Sequence, residues 1–491
     1  MRVRAIYTEK GPFPDSFVLQ EKLDNQSNWI TVLIGQNGSR KSLLLRLICD
    51  AALKRKSYYS HGHTTLKIGL ESSNGSPRKV IALSGTPLDR FPRGGADELT
   101  NYKSIYDELP YFYFGQRASN GMVGTNQSLR NLGRVYLKYS SQLIHKSKPL
   151  NAIFAHLGLS STLGFKFRRN RKIEIIKDGK RVFSIDAFRK RLEEITKTLT
   201  NLERPTSQSQ AEISTLLDFL NTDSEFRKEF IETLKSLDAN TVELTLSADN
   251  FQLYPGKYKF ETSIWRYALW TGIVEIDGLT FYKRPNTNQN NSQVVGEIYT
   301  ESDLSSGQWN WLSSLVGLTL ELEDNSLVLI DEPENSLHPN WQRDYISMLV
   351  TALESQNKCH AIIATHSAFI ASGISDSIGN IISLTADPLE LSKTGNVVNP
   401  KPIEIGYGWN SNDVYQDIFG MDSTRAPDLI QKANYALGLI REGISSNSKE
   451  LMPLAVELFN EAQNLPVHDS MRNVLESILT AVKDVNKNDN K

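Results

Sequence analysis

The sequence has few cysteines and lacks both long apolar runs and an excess of charge of one sign. Only two cysteines, Cys49 and Cys359, occur among 491 residues. Both stand in apolar runs, which predicts buried reduced thiols rather than disulfides or a metal site. The N-terminus lacks the apolar core of a signal peptide, and no run approaches the roughly 18 apolar residues of a membrane span. We therefore expect a cytoplasmic protein with no membrane-spanning segment.

Charge and size place the chain among ordinary globular proteins. It carries 55 basic and 56 acidic residues, for a net charge of -1, and 39% of its residues are hydrophobic. Global charge therefore indicates neither a nucleic-acid binder nor a membrane-surface protein, and a local patch would have to carry either function. A chain of this length is expected to divide into about two to four structural units.

A glycine-bearing loop, Gly35-Gln-Asn-Gly-Ser-Arg-Lys-Ser42, separates an apolar strand from an apolar helix. The strand ends at Ile34 and the helical pattern begins at Leu43, which is the order expected of a phosphate-binding loop. Glycines let the backbone amides of such a loop turn toward a phosphate at the positive end of the helix. Lys41 would then reach the β- and γ-phosphates of a nucleotide, and the hydroxyl of Ser42 would coordinate Mg²⁺. The alternative is a surface turn before a helix.

The residue before the lysine of this loop is normally glycine, and here it is Arg40. Its side chain could crowd the phosphates or could add a guanidinium to them. We therefore expect either slow nucleotide turnover or an additional phosphate ligand at this position.

A second apolar strand, at residues 327–330, leads into two carboxylates, Asp331 and Glu332. A buried strand can carry paired acids at its end if a metal ion and a water occupy them. A plain strand that ends in an acidic surface turn would show the same pattern. A further buried strand ends at His366, one helix and one strand after the acids, so we expect this histidine to lie beside them.

Two shorter patterns could complete such a site. The β-prone run at 111–114 is followed by Gln116, whose amide could coordinate Mg²⁺ and sense the γ-phosphate; an aromatic core strand with an incidental glutamine is the alternative. The turn Ser305-Ser306-Gly307-Gln308 opens an apolar helix at 309–320 and offers hydroxyls and amides to an anion. An ordinary helix N-cap is the alternative there.

A basic run at 166–172 precedes a predicted β-hairpin whose turn is Asp178-Gly179. The run could contact a nucleic-acid backbone, although a solvated basic face is the simpler interpretation. Apolar residues then recur with helical spacing over 185–202 and 213–237, which predicts a short antiparallel pair of helices. Beyond Leu384 we expect a loop-rich stretch, followed by about two or three helices from 426 to 485.

In this order the motifs resemble the complete set of ABC-type ATPases. The loop at 35–42 corresponds to Walker A, Gln116 to the Q-loop, 304–308 to the signature, 327–332 to Walker B, 336–339 to the D-loop and His366 to the switch histidine. The sequence Asp-Glu-Pro-Glu-Asn-Ser-Leu-His-Pro at 331–339 resembles the RecF/SMC-like and OLD-like branch, which does not energise transporters. Within that branch, the size, the helical insertion and the helical C-terminus are most similar to the Septu and retron-associated PtuA proteins, which are stand-alone phage-defence ATPases.

The resemblance implies an α/β fold, namely an ABC-ATPase head with a mixed sheet around a P-loop core, a helical-hairpin insertion and a C-terminal helical region. It predicts an N-terminal head lobe with Walker A at 1–136 and a mainly helical insertion with the basic hairpin at 137–250. A C-terminal lobe with signature, Walker B and switch histidine would span 251–400, and a helical region would span 401–491.

The same resemblance implies ATP and Mg²⁺ as cofactors and gives each motif residue a role. The nucleotide would be bound by Gly35, Asn37, Gly38, Ser39, Arg40, Lys41, Ser42 and Gln116, and the metal by Ser42, Gln116 and Asp331. Glu332 would be the base that orients the attacking water, and His366 would contact the γ-phosphate. The γ-phosphate of ATP held by a second subunit would be contacted by Ser305, Ser306, Gly307 and Gln308. The resemblance therefore implies a homodimer or higher homo-oligomer with ATP sandwiched between heads, although Ser306 stands where glycine is commonest.

For function, the resemblance implies an ATP-hydrolysing sensor or switch in an anti-phage defence system. The residues after His366 contain no Asp-x-Asp pair at a strand end, so we expect no nuclease in this chain. A separate effector, such as an HNH nuclease of the PtuB kind, would be the partner. The alternative is a RecF/SMC-like DNA-repair ATPase that binds DNA directly, with Arg168, Arg169 and Arg171 as first contacts. The form of the 331–339 sequence disfavours a transport-associated ATPase.

Overall fold

The structure is a computed structural model that describes residues 2–9, 12–20, 27–54, 57–58, 65–72, 75–92, 111–115, 125–200, 208–237, 242–248, 254–255, 262–284, 298–386, 398–403, 408–417, 419, 421 and 423–488. The described strands are β1 Val3–Glu9, β2 Ser16–Val18, β3 Trp29–Ile34, β4 Ser57–Tyr58, β5 Thr65–Ser72, β6 Val80–Ser84, β7 Tyr111–Phe114, β8 Leu159–Arg169, β9 Glu174–Lys177, β10 Lys180–Phe183, β11 Val242–Ser247, β12 Tyr254–Pro255, β13 Val274–Lys283, β14 Ile298–Thr300, β15 Leu327–Asp331, β16 His360–Thr365, β17 Gly379–Ala386 and β18 Val398–Ile403.

The described α-helices are α1 Lys41–Ala52, α2 Thr125–Lys138, α3 Ser147–His156, α4 Ile185–Thr200, α5 Gln208–Thr222, α6 Ser224–Ser236, α7 Thr262–Trp270, α8 Ser306–Glu321, α9 Pro339–Leu353, α10 Ala368–Ala371, α11 Ser411–Asp417, α12 Pro427–Glu442, α13 Ile444–Gln463 and α14 Ser470–Asn488. Short 3₁₀ helices lie at Ser140–Lys146, Arg171–Ile173 and Glu301–Asp303.

A seven-stranded sheet has the order β18-β17-β3-β16-β15-β6-β7. Its neighbouring strands pair in parallel, except for β17 and β18, which pair antiparallel. Strands β3, β6, β15 and β16 are buried along their whole length, as expected when both faces of a parallel sheet are covered. The α/β fold predicted from the sequence is therefore confirmed. Because β3, β15 and β16 run in the same direction, the loops that follow them meet at one edge of the sheet.

Helix α1 begins directly after the loop that follows β3 and packs its apolar side chains against this sheet. Leu44, Leu45 and Ile48 are fully buried in one cluster with Leu329 of β15 and Ile362 of β16. Burial of one such side chain stabilises a fold by about 1.5–3 kcal/mol. This packing fixes the N-terminus of α1 at the same edge of the sheet.

Antiparallel pairing builds the other described sheets. One has the order β2-β1-β5-β4 and another the order β12-β11-β8-β13-β14, while β9 and β10 form a hairpin. The hairpin turns at Asp178 and Gly179, whose φ angles are 50° and 72°. Positive φ at both positions belongs to the tight turn that Asp-Gly favours, so the predicted hairpin is confirmed.

The stretch around this hairpin contains more strands and helices than its sequence pattern predicted. Strand β8 pairs with β11 on one side and with β13 on the other. The single helix predicted over 213–237 is two helices, α5 and α6, because Asp223 caps α6 by accepting hydrogen bonds from the amides of Glu225 and Phe226. The stretch after Leu384, predicted as loop, contains β18, which extends the edge of the seven-stranded sheet. The boundaries of the four predicted domains stay predictions.

The chain divides into two compact units, Met1–Trp409 and Asn410–Lys491. Helices α12, α13 and α14 of the second unit surround a hydrophobic core in which Ala436, Leu458 and Leu475 are fully buried. An ion pair of 2.6 Å joins Arg425 Nη2 to Asp469 Oδ1 in the same unit. A hydrophobic core of its own is the mark of a unit that can fold independently.

Two expectations drawn from scarce residue types can be compared with the structure. Cys49 and Cys359 are both buried and are not joined in a disulfide. None of the described helices has the length and apolar character needed to cross a membrane.

Candidate functional site

Three loops meet at the sheet edge where β3, β15 and β16 end. They carry the predicted phosphate loop at 35–40, the acidic pair Asp331 and Glu332, and His366. The ladders of β15 with β16 and of β16 with β3 stay in register up to these strand ends. His366 therefore lies beside the acids, as the order of strands along the chain led us to expect.

The loop after β3 is shaped by a close backbone approach and by residues with positive φ. A Cβ on Gly35 would lie 2.2 Å from the carbonyl oxygen of Leu384, so a larger residue would force the two strands apart. Gly38 and Arg40 have φ angles of 85° and 63°. Asn37 and Gly38 are exposed at the tip of the loop. The loop ends at the N-terminus of α1, where the helix dipole and the amide groups favour an anion.

The side chain of Lys41 lies within this loop. Its ammonium group donates to the carbonyl oxygen of Gly35 at 2.9 Å, and it lies 3.3 Å from Ser39 Oγ and 2.9 Å from His366 Nε2. Burial lowers the pKa of Lys41 to about 8, while the nearby charge of Glu332 opposes this change. The lysine is thus positioned at the place where a P-loop lysine meets the phosphates of its nucleotide.

Ser42 and Asp331 form a pair of oxygen ligands that fits Mg²⁺. The hydroxyl of Ser42 donates to Asp331 Oδ1 at 2.9 Å. Asp331 is 1% exposed, and burial raises its pKa to about 7, so a nearby cation would stabilise its ionised form. No group of three or more His, Cys, Asp and Glu side chains that could hold a metal occurs in the described part of the chain. A metal held by this pair would complete its shell with phosphate oxygens and water, as Mg²⁺ commonly does.

Glu332 follows β15 with a left-handed backbone, at φ 46°. Its amide donates to the carbonyl of Ala364 at 2.8 Å, and a Cβ on Gly85 would lie 2.1 Å from its carbonyl oxygen, so the neighbouring backbone holds this turn. Glu332 Oε1 lies 3.5 Å from His366 Nε2. Hydrogen bonds from His366 and from Asn335 lower the pKa of Glu332 against the effect of burial. The carboxylate is therefore ionised at neutral pH and able to accept a proton.

Glu334 holds the backbone of the switch histidine, a contact that the motifs did not predict. Its Oε1 accepts a hydrogen bond of 2.5 Å from the amide of His366. Its Oε2 and the hydroxyl of Tyr345 are buried and have no hydrogen-bond partner among the described residues. Burial raises the pKa of Glu334. The one sequence signal for this residue was its place inside the 331–339 motif.

The turn at 305–308 caps helix α8. Ser305 Oγ accepts from the amide of Gln308 at 3.3 Å, and Gln308 Oε1 accepts from the amide of Ser305 at 2.8 Å. This is a capping box, so these two side chains do make the ordinary N-cap that was the alternative interpretation. Ser306 is exposed and Gly307 is buried. A Cβ on Gly307 would lie 2.3 Å from the carbonyl oxygen of Ser336, so α8 rests directly on the turn after Glu332.

A relay of two hydrogen bonds, which we call the asparagine link, joins α8 to the acidic pair. Asn310 Nδ2 of α8 donates to the carbonyl oxygen of Asn335 at 3.3 Å. The side-chain amide of Asn335 then donates to Glu332 Oε2 at 2.9 Å. The helix that carries the predicted signature therefore helps to hold the carboxylate of Glu332.

Gln116, predicted to complete the metal shell, lies outside the described residues. Strand β7, which precedes it, ends at Phe114 and pairs with β6. The predicted roles of Gln116 in metal and nucleotide binding stay predictions.

The arginines predicted as first contacts with DNA differ in accessibility. Arg169 is 4% exposed and pairs with Glu174 at 3.2 Å. It is therefore not a surface contact, which corrects the prediction for this residue. Arg168 is engaged with two carboxylates of the neighbouring strand at 3.0 Å each, whereas Arg171 is exposed.

The residues at the sheet edge can together perform one kind of chemistry. The loop and Lys41 offer positive charge and amides to phosphates, and Ser42 with Asp331 offers oxygens to a divalent cation. Glu332 offers an ionised carboxylate that can orient a water molecule. This combination suits transfer of a phosphoryl group to water.

Comparison with known families gives a match over most of the site-bearing unit. The family described as "AAA domain, putative AbiEii toxin, Type IV TA system" matches residues 30–372, a range that runs from β3 to the end of α10. The Septu protein PtuA of Bacillus thuringiensis is 30% identical over 150 residues, which are 28% of this chain and 36% of that protein. The match thus spans about a third of the length of this relative.

Similarity to solved structures is more distant. The SMC head bound to the C-terminal winged-helix domain of ScpA aligns with a TM-score of 0.30 at 10% identity, covering 82% of this chain and 98% of that one. UvrA2 from Deinococcus radiodurans aligns with a TM-score of 0.26 at 13% identity, covering 78% and 36% of the two chains. The SMC head domain from Thermotoga maritima aligns with a TM-score of 0.27 at 10% identity, covering 82% and 100%.

Proposed function

This chain belongs to the AAA domain family that matches residues 30–372, and on that premise we propose that it is an ABC-type ATPase that acts as a nucleotide-dependent switch. It binds and hydrolyses ATP with Mg²⁺, closes as a homodimer or higher homo-oligomer around ATP, and controls a separate effector nuclease in an anti-phage defence system. The PtuA-like segment of 150 residues at 30% identity supports the defence assignment.

One observation carries the ATPase proposal, which is the convergence of side chains from three strand ends. Lys41 Nζ lies 2.9 Å from His366 Nε2, and His366 Nε2 lies 3.5 Å from Glu332 Oε1. Ser42 Oγ lies 2.9 Å from Asp331 Oδ1. A phosphate-binding lysine, a hydroxyl–carboxylate pair and an ionised base at such distances form the arrangement that hydrolysis of a phosphoanhydride needs.

Each of these residues has a specific task in the proposed reaction. The loop from Gly35 to Ser42 and the N-terminus of α1 bind the phosphates, and Lys41 neutralises their charge. Ser42 and Asp331, with Gln116, hold Mg²⁺, which when bound supplies positive charge to the β- and γ-phosphates. Glu332 orients the attacking water and accepts its proton, and His366 positions itself against the γ-phosphate. Arg40 makes turnover slow.

The signature residues act on a second copy of the chain. Ser306 is exposed at the start of α8, where its hydroxyl and the helix amides suit a phosphate held by another subunit. We place the head lobes at 1–136 and 251–400, the insertion at 137–250 and a helical region at 401–491. Two buried cysteines without a disulfide between them support a cytoplasmic location for the assembly.

The variant Glu332→Gln tests the proposal at its centre. The phosphate loop and Asp331 remain, so ATP and Mg²⁺ still bind, but without the base kcat falls at least about 100-fold. Light scattering should then detect a dimer that forms with ATP and Mg²⁺ and is absent with ADP. Adding Ser306→Arg to this variant should prevent the dimer while nucleotide binding persists. Glu354→Gln, an exposed change of the same charge on α9, is the control, and equal rates in the two single variants would remove Glu332 as the base.

Co-purification from the native operon tests the defence assignment. A small nuclease recovered in fixed stoichiometry and identified by mass spectrometry is the expected result. The second candidate is a RecF/SMC-like repair ATPase that binds DNA directly, and the exposure of Arg171 favours it. A chain that purifies alone and binds DNA with a steep salt dependence would replace the switch proposal with this one.

A further inference from the structure

A cleft of about 290 Å³ lies beside the β9–β10 hairpin, and four of the six residues that line it are arginines. The lining residues are Arg168, Arg169, Arg171, Glu174, Arg181 and Leu237. The whole chain has a net charge of -1, so this concentration of guanidinium groups around one carboxylate is a strong local departure. Convergent positive charge of this kind favours an anionic ligand.

Two of the four arginines form the frame of the cleft. Arg169 donates to Glu174 Oε1 at 3.2 Å and to the carbonyl oxygen of Leu234 at 2.8 Å, and its guanidinium lies 6.0 Å from the ring centroid of Phe183. Arg168 pairs with carboxylates of β13 at 3.0 Å. These two guanidiniums already have counter-charges, so they fix the walls rather than wait for a ligand.

The other two arginines are exposed and come from different elements. Arg171 begins the 3₁₀ helix Arg171–Ile173 that joins β8 to β9, and Arg181 lies on β10. Arg181 and Phe183 are two residues apart on that strand, so they share a face, which is the face beside Arg169. Neither Arg171 nor Arg181 makes a side-chain hydrogen bond or ion pair with any residue that the structure describes.

We propose that this cleft binds a phosphate group between Arg171 and Arg181. The planar guanidinium fork matches phosphate oxygens with two parallel hydrogen bonds, and Arg is the residue of choice for this contact. The volume of the cleft is near the lower end of the range for small-ligand sites, so it admits a phosphate with part of its sugar. The phosphate belongs either to a nucleic-acid backbone or to a small phosphorylated ligand.

This site is separate from the ATP site of the proposed function, because the phosphate loop lies at the end of β3 and the cleft lies between β8, β10 and α6. The test compares Arg171→Gln/Arg181→Gln with Arg189→Gln/Lys190→Gln in the full chain. The control pair removes the same charge from exposed positions of α4 that do not line the cleft. Release of phosphate from ATP is measured on the same preparations, which keeps a failure of the ATPase proposal distinct from a failure of this one.

The first probe is a short fluorescein-labelled single-stranded DNA followed by fluorescence anisotropy between about 50 and 200 mM KCl. The expected result is unchanged Kd for the control pair and a roughly tenfold higher Kd at low salt for the cleft pair, with a salt slope smaller by about 1.4. That outcome supports a nucleic-acid phosphate as the ligand. Equal losses in the two pairs show a diffuse basic surface and overturn the proposal.

The second probe is inorganic pyrophosphate, titrated calorimetrically into the same proteins. If the chain does not bind the DNA, the proposal requires the cleft pair to take up one pyrophosphate fewer per chain than the control pair. That outcome supports a small phosphorylated ligand. The same uptake by both pairs, without a difference in DNA binding, overturns the proposal.

Discussion

At the scale of single residues, Arg40 combines a side chain with a backbone that favours glycine. Its φ of 63° and ψ of 25° are left-handed, a conformation that costs a residue with a Cβ roughly 1–2 kcal/mol. Lys358 has nearly the same φ, 60°, but lies before β16 at the opposite end from the site. The two residues therefore allow backbone strain to be separated from an effect on the nucleotide.

We predict that Arg40→Gly and Lys358→Gly raise the free energy of unfolding by similar amounts, on the order of 0.5–1 kcal/mol, in thermal or urea unfolding. Arg40→Gly alone should raise kcat for ATP, because it removes the side chain that crowds the phosphates. A weaker affinity for ATP with unchanged kcat would instead make Arg40 a phosphate ligand.

Asp331 predicts a specific pH dependence of stability. Its pKa is about 7 in the fold against an ordinary value of 3.8, so between these pH values the folded chain holds a proton that the unfolded chain has lost. Without a metal ion, its contribution to the free energy of unfolding is therefore largest at or below about pH 4, falls as pH rises through the window and is constant above about pH 7.

The variant Asp331→Asn has no such titration and is the reference. We predict that the free energy of unfolding of the native chain, minus that of the variant, falls between about pH 4 and 7 in EDTA, by at most ~1.4 kcal/mol per pH unit. Urea unfolding at several pH values measures this difference. A difference that does not change with pH would show that the carboxyl is not desolvated.

The individual site residues were predictable from sequence where a motif fixes both residue type and spacing. Lys41, Ser42, Asp331 and His366 lie together because a strand end determines each position. Glu334 was not predictable, because its contact with the amide of His366 depends on the left-handed turn at Glu332. The burial of Arg169 depends in the same way on carbonyl groups of α6, which no local pattern shows.

At the scale of elements, the contact between α8 and the turn after β15 requires a glycine. A Cβ on Gly307 would lie 2.3 Å from the carbonyl oxygen of Ser336. Gly438 of α12 is also helical, and a Cβ there would meet no atom within 4 Å. Alanine should therefore have opposite effects at the two positions.

We predict that Gly307→Ala lowers the free energy of unfolding by about 1–3 kcal/mol because α8 must shift away from the turn. The shift should also lower kcat, since Asn310 then no longer supports Asn335 and Glu332. Gly438→Ala should raise stability by about 0.5–1 kcal/mol and leave kcat unchanged. Thermal unfolding and phosphate release measure both effects, and normal kcat in Gly307→Ala would exclude the coupling.

Elements were predictable from sequence when apolar periodicity was strong and misjudged when a single polar residue decided the outcome. The strands β3, β15 and β16 are uninterrupted apolar runs, and the Asp-Gly hairpin has a unique turn signal. The break between α5 and α6 depends on the cap at Asp223, inside a continuous helical pattern. Strand β18 contains two prolines and was therefore taken for loop, but edge strands tolerate proline.

At the scale of the whole molecule, the second unit, Asn410–Lys491, has its own hydrophobic core. We predict that residues 410–491 expressed alone are helical and unfold cooperatively in circular dichroism. Leu458→Asp, at a fully buried position, should abolish the transition. Val456→Asp, on the same helix at a position 42% exposed, should retain it, and a non-cooperative melt of the unmodified fragment would contradict the prediction.

The organisation of the whole molecule was only partly predictable. The order of motifs along the chain indicated an α/β head correctly, because strand, helix and strand in succession build a parallel sheet. Composition gave no indication of the arginine cleft, because a net charge of -1 averages over positive and negative regions. Its four arginines come from β8, a 3₁₀ turn and β10, and only the folded chain places them together.

The asparagine link has a kinetic consequence for the proposed assembly. A second head that docks on the start of α8 would load Asn310 and, through Asn335, the carboxylate of Glu332. Catalytic competence would then belong to the pair rather than to either chain. Dilute protein would idle, and the rate of hydrolysis would rise with the square of protein concentration until every head had found another. Such a rate law would make the abundance of the protein in the cell a setting of the switch.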